Sequence, residues 1–117
     1  MTNENREENK QKLVYISGPY RSVPGLSTVV DNVWRARACA MKYWEKGYSV
    51  FCPHLNSAFM DGIIPDAEFL EADIVILRRC DIIVMMEGWG ASIGAIKEHE
   101  EAEKSGIQII YEGRKHL

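Results

Sequence analysis

The six residues "DIIVMM" (81–86) constrain the fold more tightly than any other part of the chain. After Asp81 every position is apolar. A strand with one wet face alternates polar and apolar residues, whereas a short unbroken run reads as a strand covered on both faces, the usual state in a parallel sheet. Three other short runs share this β-rich character: "LVYIS" (13–17), "YSVFC" (48–52) and "IQIIY" (107–111). The first stops at Gly18-Pro19 and the second at Pro53, where strand pairing must end.

Helical patterns fill the gaps. From about Thr28 to Lys46, Val30, Val33, Trp34, Ala38, Met41 and Trp44 fall on or near one face, and Gly47 is placed to stop the helix. Residues 53–65 read as a long loop. Pro65 or Asp66 opens a second helix, which runs to about Arg79. A third helix is expected over about Ser92 to Lys104, with Ser105-Gly106 ending it. The order is therefore βαβαβαβ. It predicts an α/β fold, a flavodoxin-like three-layer sandwich with a parallel sheet of four or five strands in the order 2-1-3-4.

At 117 residues the chain has the length of one domain, expected over 13–117 and preceded by a polar, disordered tail at 1–12. The net charge of -3 gives no electrostatic case for binding a nucleic acid polymer. No apolar run approaches membrane-spanning length and no signal peptide is visible. Cys39, Cys52 and Cys80 are odd in number and unclustered, which suggests reduced thiols and a cytoplasmic protein.

In such a sheet, ligands bind at the carboxyl ends of the strands where the order reverses. The segments leaving those ends are "SGPYRS", "CPHLNS" and "EGWGASIG", which gathers Tyr20, Arg21, His54, Asn56, Trp89 and Ser92 near one mouth. Ser92 reads as a helix N-cap, and the same place is also an anion site. Trp89 either stacks on a base or covers the core. Arg21 either grips a phosphate or lies idle on the surface. His54 with Asp61 and Asp66 matches no metal-ligand spacing, so no metal is expected, and no cofactor motif is present.

Two carboxylates sit on the wrong helical faces. Asp73 belongs to the apolar stripe of Phe69, Leu70, Ile74 and Leu77, where a bare carboxylate costs several kcal/mol. Either a backbone amide or lysine satisfies it, or it lines a cleft that tunes it for acid–base work. Glu98 shares a stripe with Ala91, Gly94, Ala95, Ala102 and Ser105, while its sequence neighbours are plainly polar. Its surroundings read as a wet face; the small residues beside it read as a close approach with room for a ligand. Two such acids near one strand end would suit cleavage of a glycosidic bond.

The ordered set "VYISGPYR", "ADIVILRRCDIIVMM" and "SIGAIKEHEEAEKSGIQII" resembles the nucleoside 2-deoxyribosyltransferase superfamily over roughly residues 13 to 111. That superfamily includes the transferases and the 2′-deoxynucleoside 5′-phosphate N-hydrolases. "PHL" after the second strand and "RCD" before the third are similar to small phage-type and bacterial members of unassigned activity. The resemblance implies a nucleophilic glutamate in a Ser-x-Gly-x-x-x-Glu run, matched by Ser92, Gly94 and Glu98. It implies a second carboxylate at Asp73 and a tyrosine beside the nucleophile at Tyr15. Gly18 and Arg21 would approach the sugar or phosphate, and Ser92 would contact a phosphate. The expected ligand is a small-molecule nucleoside or nucleotide, with neither cofactor nor metal, in a homo-oligomer. The chain is shorter than the transferases and lacks their longer carboxyl-terminal segment, which favours hydrolysis, or an incomplete site, over transfer. The alternative is a non-catalytic nucleotide-binding or sensing module on the same fold.

Overall fold

The computed structural model describes residues 3–22, 25 and 27–113, with the side chains of residues 3–5 left aside. Its elements are α1 (Asn3–Asn9), β1 (Leu13–Ser17), α2 (Val29–Glu45), β2 (Ser49–Phe51), α3 (Pro53–Asn56), α4 (Asp66–Leu77), β3 (Ile82–Met85), α5 (Ile93–Ser105) and β4 (Gln108–Tyr111). A single 3-10 turn over Trp89–Ala91 joins β3 to α5. The four strands run parallel in the order β2-β1-β3-β4, as the alternation of runs predicts.

Strand alternation sorts the core into two layers. Val14, Ile16, Ile82 and Val84 face α2 and pack with Ala36, Ala40 and Tyr43. Tyr15, Ile83 and Met85 face the other way, onto Leu77 of α4 and Ala95 and Ala102 of α5. Asp81 locks the start of the central pair: its carboxylate accepts the Leu13 N–H at 2.8 Å, and its own N–H donates to the Leu13 carbonyl at 2.9 Å.

Three expectations need correction. The first concerns residues 1–12: positions 1–2 lie outside the described residues, but Asn3–Asn9 is a helix rather than a disordered tail. It is held at the end of α2, where Asn9 donates to the Lys46 carbonyl at 2.8 Å and Arg6 to that of Glu45. The second concerns the buried face of α2, which carries Asn32, Ala36, Ala40 and Tyr43. Trp34 and Trp44 are 60% and 53% exposed, and Val30 and Met41 lie out with them. Two alanines let the helix approach the sheet closely, and a wide indole stripe would hold it off. The third is the loop at 53–65, whose first four residues form α3 with Pro53 in the first turn.

The helix stops follow their glycines. Gly106 closes α5 with φ of 71°, and Gly47, at φ of 96°, turns the chain after α2. All three cysteines are free, and burial raises each thiol, so they remain protonated. Among the described residues no helix is long and apolar enough to cross a membrane.

Candidate active site

A cleft of about 440 Å³ opens at the carboxyl ends of β1 and β2 and is walled by α4 and the start of α5. Glu98 and Asp73 both line it, from different helices. Glu98 is only 6% exposed. The small residues around it account for that depth, since Ala95 and Ala102 press α5 against β3 and β4.

Glu98 is held from below by β1. The Ser17 hydroxyl donates to its Oε1 at 2.6 Å, and the Tyr15 hydroxyl donates to its Oε2. Tyr15 and Ser17 are two apart on a strand, so their side chains leave the same face of the sheet. Burial lifts the Glu98 pKa from 4.5 to about 7; the two hydroxyl donors pull it down, and the charge of Asp73 pushes it up. Asp73 rises to about 6, through loss of hydration alone. Tyr15 lies well above its usual 10, first through burial and then through the neighbouring Glu98, so its phenol stays a donor.

The remaining sequence candidates divide. Gly18, Tyr20, Arg21, His54, Ser92 and Gly94 line the cleft with the two acids. Gly18 is needed because a Cβ there would lie 2.6 Å from Met86 Sδ and 2.8 Å from Met86 Cβ. His54 ties two strand ends together: its Nε2 sits 2.7 Å from the Pro19 carbonyl, and burial lowers its pKa, which keeps the imidazole neutral. Ser92 caps α5, its Oγ accepting the Ala95 N–H at 3.2 Å.

Asn56 and Trp89 are not among the cleft-lining residues. Asn56 is exposed at the end of α3. Trp89 is buried and stacks on His99 with ring centroids 4.4 Å apart, which is the core-covering alternative. Sequence reasoning missed Ser17, although strand periodicity from Tyr15 points to it. It also missed the partners of Arg21, whose Nη1 meets Asp61 and whose Nη2 meets Asp66, each at 2.5 Å. Among the described residues, no cluster of three or more His, Cys, Asp or Glu side chains is arranged to hold a metal ion.

A parallel sheet with an acid-lined cleft at its carboxyl edge defines a Rossmann-like α/β protein. The chain belongs to the DUF4406 family, described as a domain of unknown function, which it matches over residues 12–111. Among solved structures it is similar to the solution structure of BlsM, with a TM-score of 0.60 and 17% sequence identity, over 86% of this chain and 80% of that one. A likeness at that identity carries the fold alone. No curated protein matches the chain.

Proposed function

We propose that this protein cleaves the N-glycosidic bond of a nucleoside or nucleoside 5′-monophosphate, with Glu98 as nucleophile. One observation carries the reading. A carboxylate buried to 6% exposure is aimed by two hydroxyl donors and shares a cleft of about 440 Å³ with a second carboxylate of raised pKa. The motif resemblance to the nucleoside 2-deoxyribosyltransferase superfamily supports the same chemistry.

A Glu98 carboxylate oxygen attacks C1′ and forms a glycosyl ester while the C1′–N bond breaks. The bonding pair leaves with the base, and Asp73 supplies the proton that neutralises it. Water then gives its proton to Asp73 and attacks C1′, releasing the sugar and restoring the Glu98 carboxylate. Near neutral pH the two buried acids hold about one proton between them, and the pair titrates as a unit. Glu98 has the higher value, so the shared proton rests mostly there; the reactive arrangement, with charge on Glu98 and the proton on Asp73, is the minor form that the two hydroxyl donors help to populate.

The test is release of free base from a panel of nucleosides and 5′-monophosphates. Glu98→Ala should lower the rate by at least ~10³-fold. A variant releasing base at near the wild-type rate rejects the assignment. Thermal shift by a nucleoside without any base release from the wild type supports the binding-module alternative instead.

A further inference from the structure

Arg21 is the cation a sugar phosphate would be expected to meet in this cleft, yet each arm of its fork already donates to a carboxylate. Nη1 donates to Asp61 Oδ2 and Nη2 to Asp66 Oδ1, each at 2.5 Å. A guanidinium recognises phosphate by offering two parallel N–H groups to two oxygens, and here a carboxylate on each Nη competes for that fork. The cluster is also tied in from a third side. Tyr20 donates its hydroxyl to Asp61 Oδ1 at 2.7 Å and accepts the Phe59 N–H at 2.9 Å. Phe59 is the one non-glycine residue with positive φ among the described residues, at 62°, so this bond holds a turn that a bulky side chain rarely adopts.

The charge balance of the cleft points the same way. Four carboxyl groups line it, Asp61, Asp66, Asp73 and Glu98, and even with one proton shared by the last two their charge exceeds that of the two cations, Arg21 and Lys97. His54 adds no charge, because burial keeps it neutral. Ser92, the other candidate phosphate contact, caps α5 with an Oγ lone pair, so it can offer an anion a single neutral O–H and no charge. Carboxylates only accept hydrogen bonds, so the rim suits a hydroxyl or amino group and repels an anion.

We propose that the cleft selects an unphosphorylated nucleoside, and that the Arg21–Asp61–Asp66 cluster at its rim excludes a 5′-phosphate. The proposal rests on the glycosidic reading above and decides between the two substrate classes that reading leaves open. In it, Asp61 and Asp66 determine specificity and take no part in bond cleavage.

The experiment compares 2′-deoxyadenosine, thymidine, adenosine and uridine with their 5′-monophosphates, by kcat/KM for base release on the wild type. Binding to Glu98→Gln, measured calorimetrically, gives a second readout that needs no turnover. The nucleosides should be preferred at least ~10-fold, a gap that narrows as salt screens the rim. Asp61→Asn with Asp66→Asn should free Arg21 and bring the monophosphates to within ~3-fold, or ahead. Both positions are exposed, and Arg21→Ala with both aspartates kept should hold or widen the nucleoside preference. A wild type that prefers monophosphates, or a double variant with an unchanged ratio, overturns the selectivity while base release leaves the glycosidic reading standing. Nucleoside-selective binding without release from any compound sinks the glycosidic reading and supports the selectivity. Absence of both binding and release overturns both.

Discussion

Replacing Glu98 by glutamine should make the protein more stable in alkaline solution while removing its chemistry. Burial raises this carboxyl from 4.5 to about 7, so the folded chain holds the proton more tightly than the unfolded chain does. Stability from that proton is fully present below about pH 4.5 and is lost as pH rises through about 7. At 1.36 kcal/mol per pKa unit the full loss is about 3 kcal/mol, of which about 2.5 kcal/mol falls between pH 5 and pH 8. Glutamine carries no charge and does not titrate, and its amide oxygen still accepts from one of the Tyr15 and Ser17 hydroxyls. Any mismatch at the other hydroxyl is a constant offset with pH. Urea denaturation of both proteins at pH 5 and pH 8 reads the difference. With a urea m-value of about 1.5 kcal/mol per M, the midpoint of the variant should gain about 1.5–2 M on the wild type across that interval. Asp73 titrates in both proteins and largely cancels. A gap that stays constant with pH, or that closes as pH rises, would refute the claim that Glu98 is a desolvated acid in the folded state.

Two other outcomes follow from the same geometry. The pH profile of kcat for base release should be bell-shaped, with limbs set by the pair near 6 and 7, because Glu98 must be ionised and the pair must still hold one proton; Asp73→Asn should abolish the alkaline limb and lower kcat by ~10²-fold or more, and an unaltered limb removes Asp73 from the reaction. Gly18→Ala should cost about 1–3 kcal/mol, since the new methyl meets Met86 Cβ at 2.8 Å. By contrast Gly94→Ala should fold as well as the wild type or better, its Cβ meeting Leu70 Cδ1 at an ordinary 3.9 Å, and should raise KM several-fold by filling the cleft wall; thermal melts and kinetics on the two variants check this contrast.

The strand order was legible because "DIIVMM" and its three companions are apolar over strand-length runs, and because helices separate them. The face of α2 was misread for a physical reason. Counting apolar residues favours Trp34 and Trp44, but close packing on a sheet rewards Ala36 and Ala40, and Asn32 earns its place by donating to the Tyr20 and Arg21 carbonyls. Glu98 and Asp73 stood out as acids on otherwise small or apolar stripes. Ser17 was within reach of the same logic, one strand period beyond Tyr15. The partners of Arg21 were not, because Asp61 and Asp66 lie 40 and 45 residues away on a segment with no periodicity to place them.

The hydroxyls that grip Glu98 come from the first strand, 83 and 81 residues earlier in the chain. That strand reaches α5 only by lying beside β3 in the middle of the sheet. The setting of Glu98 is thus tied to completion of the whole topology: a nascent chain released before α5 emerges lacks Glu98, and a molecule nicked and parted in the 57–65 connection loses the Tyr15 and Ser17 hydroxyls that hold it. On the glycosidic reading proposed above, base release would count intact molecules, serving as a direct gauge of how much of a preparation has reached its native architecture.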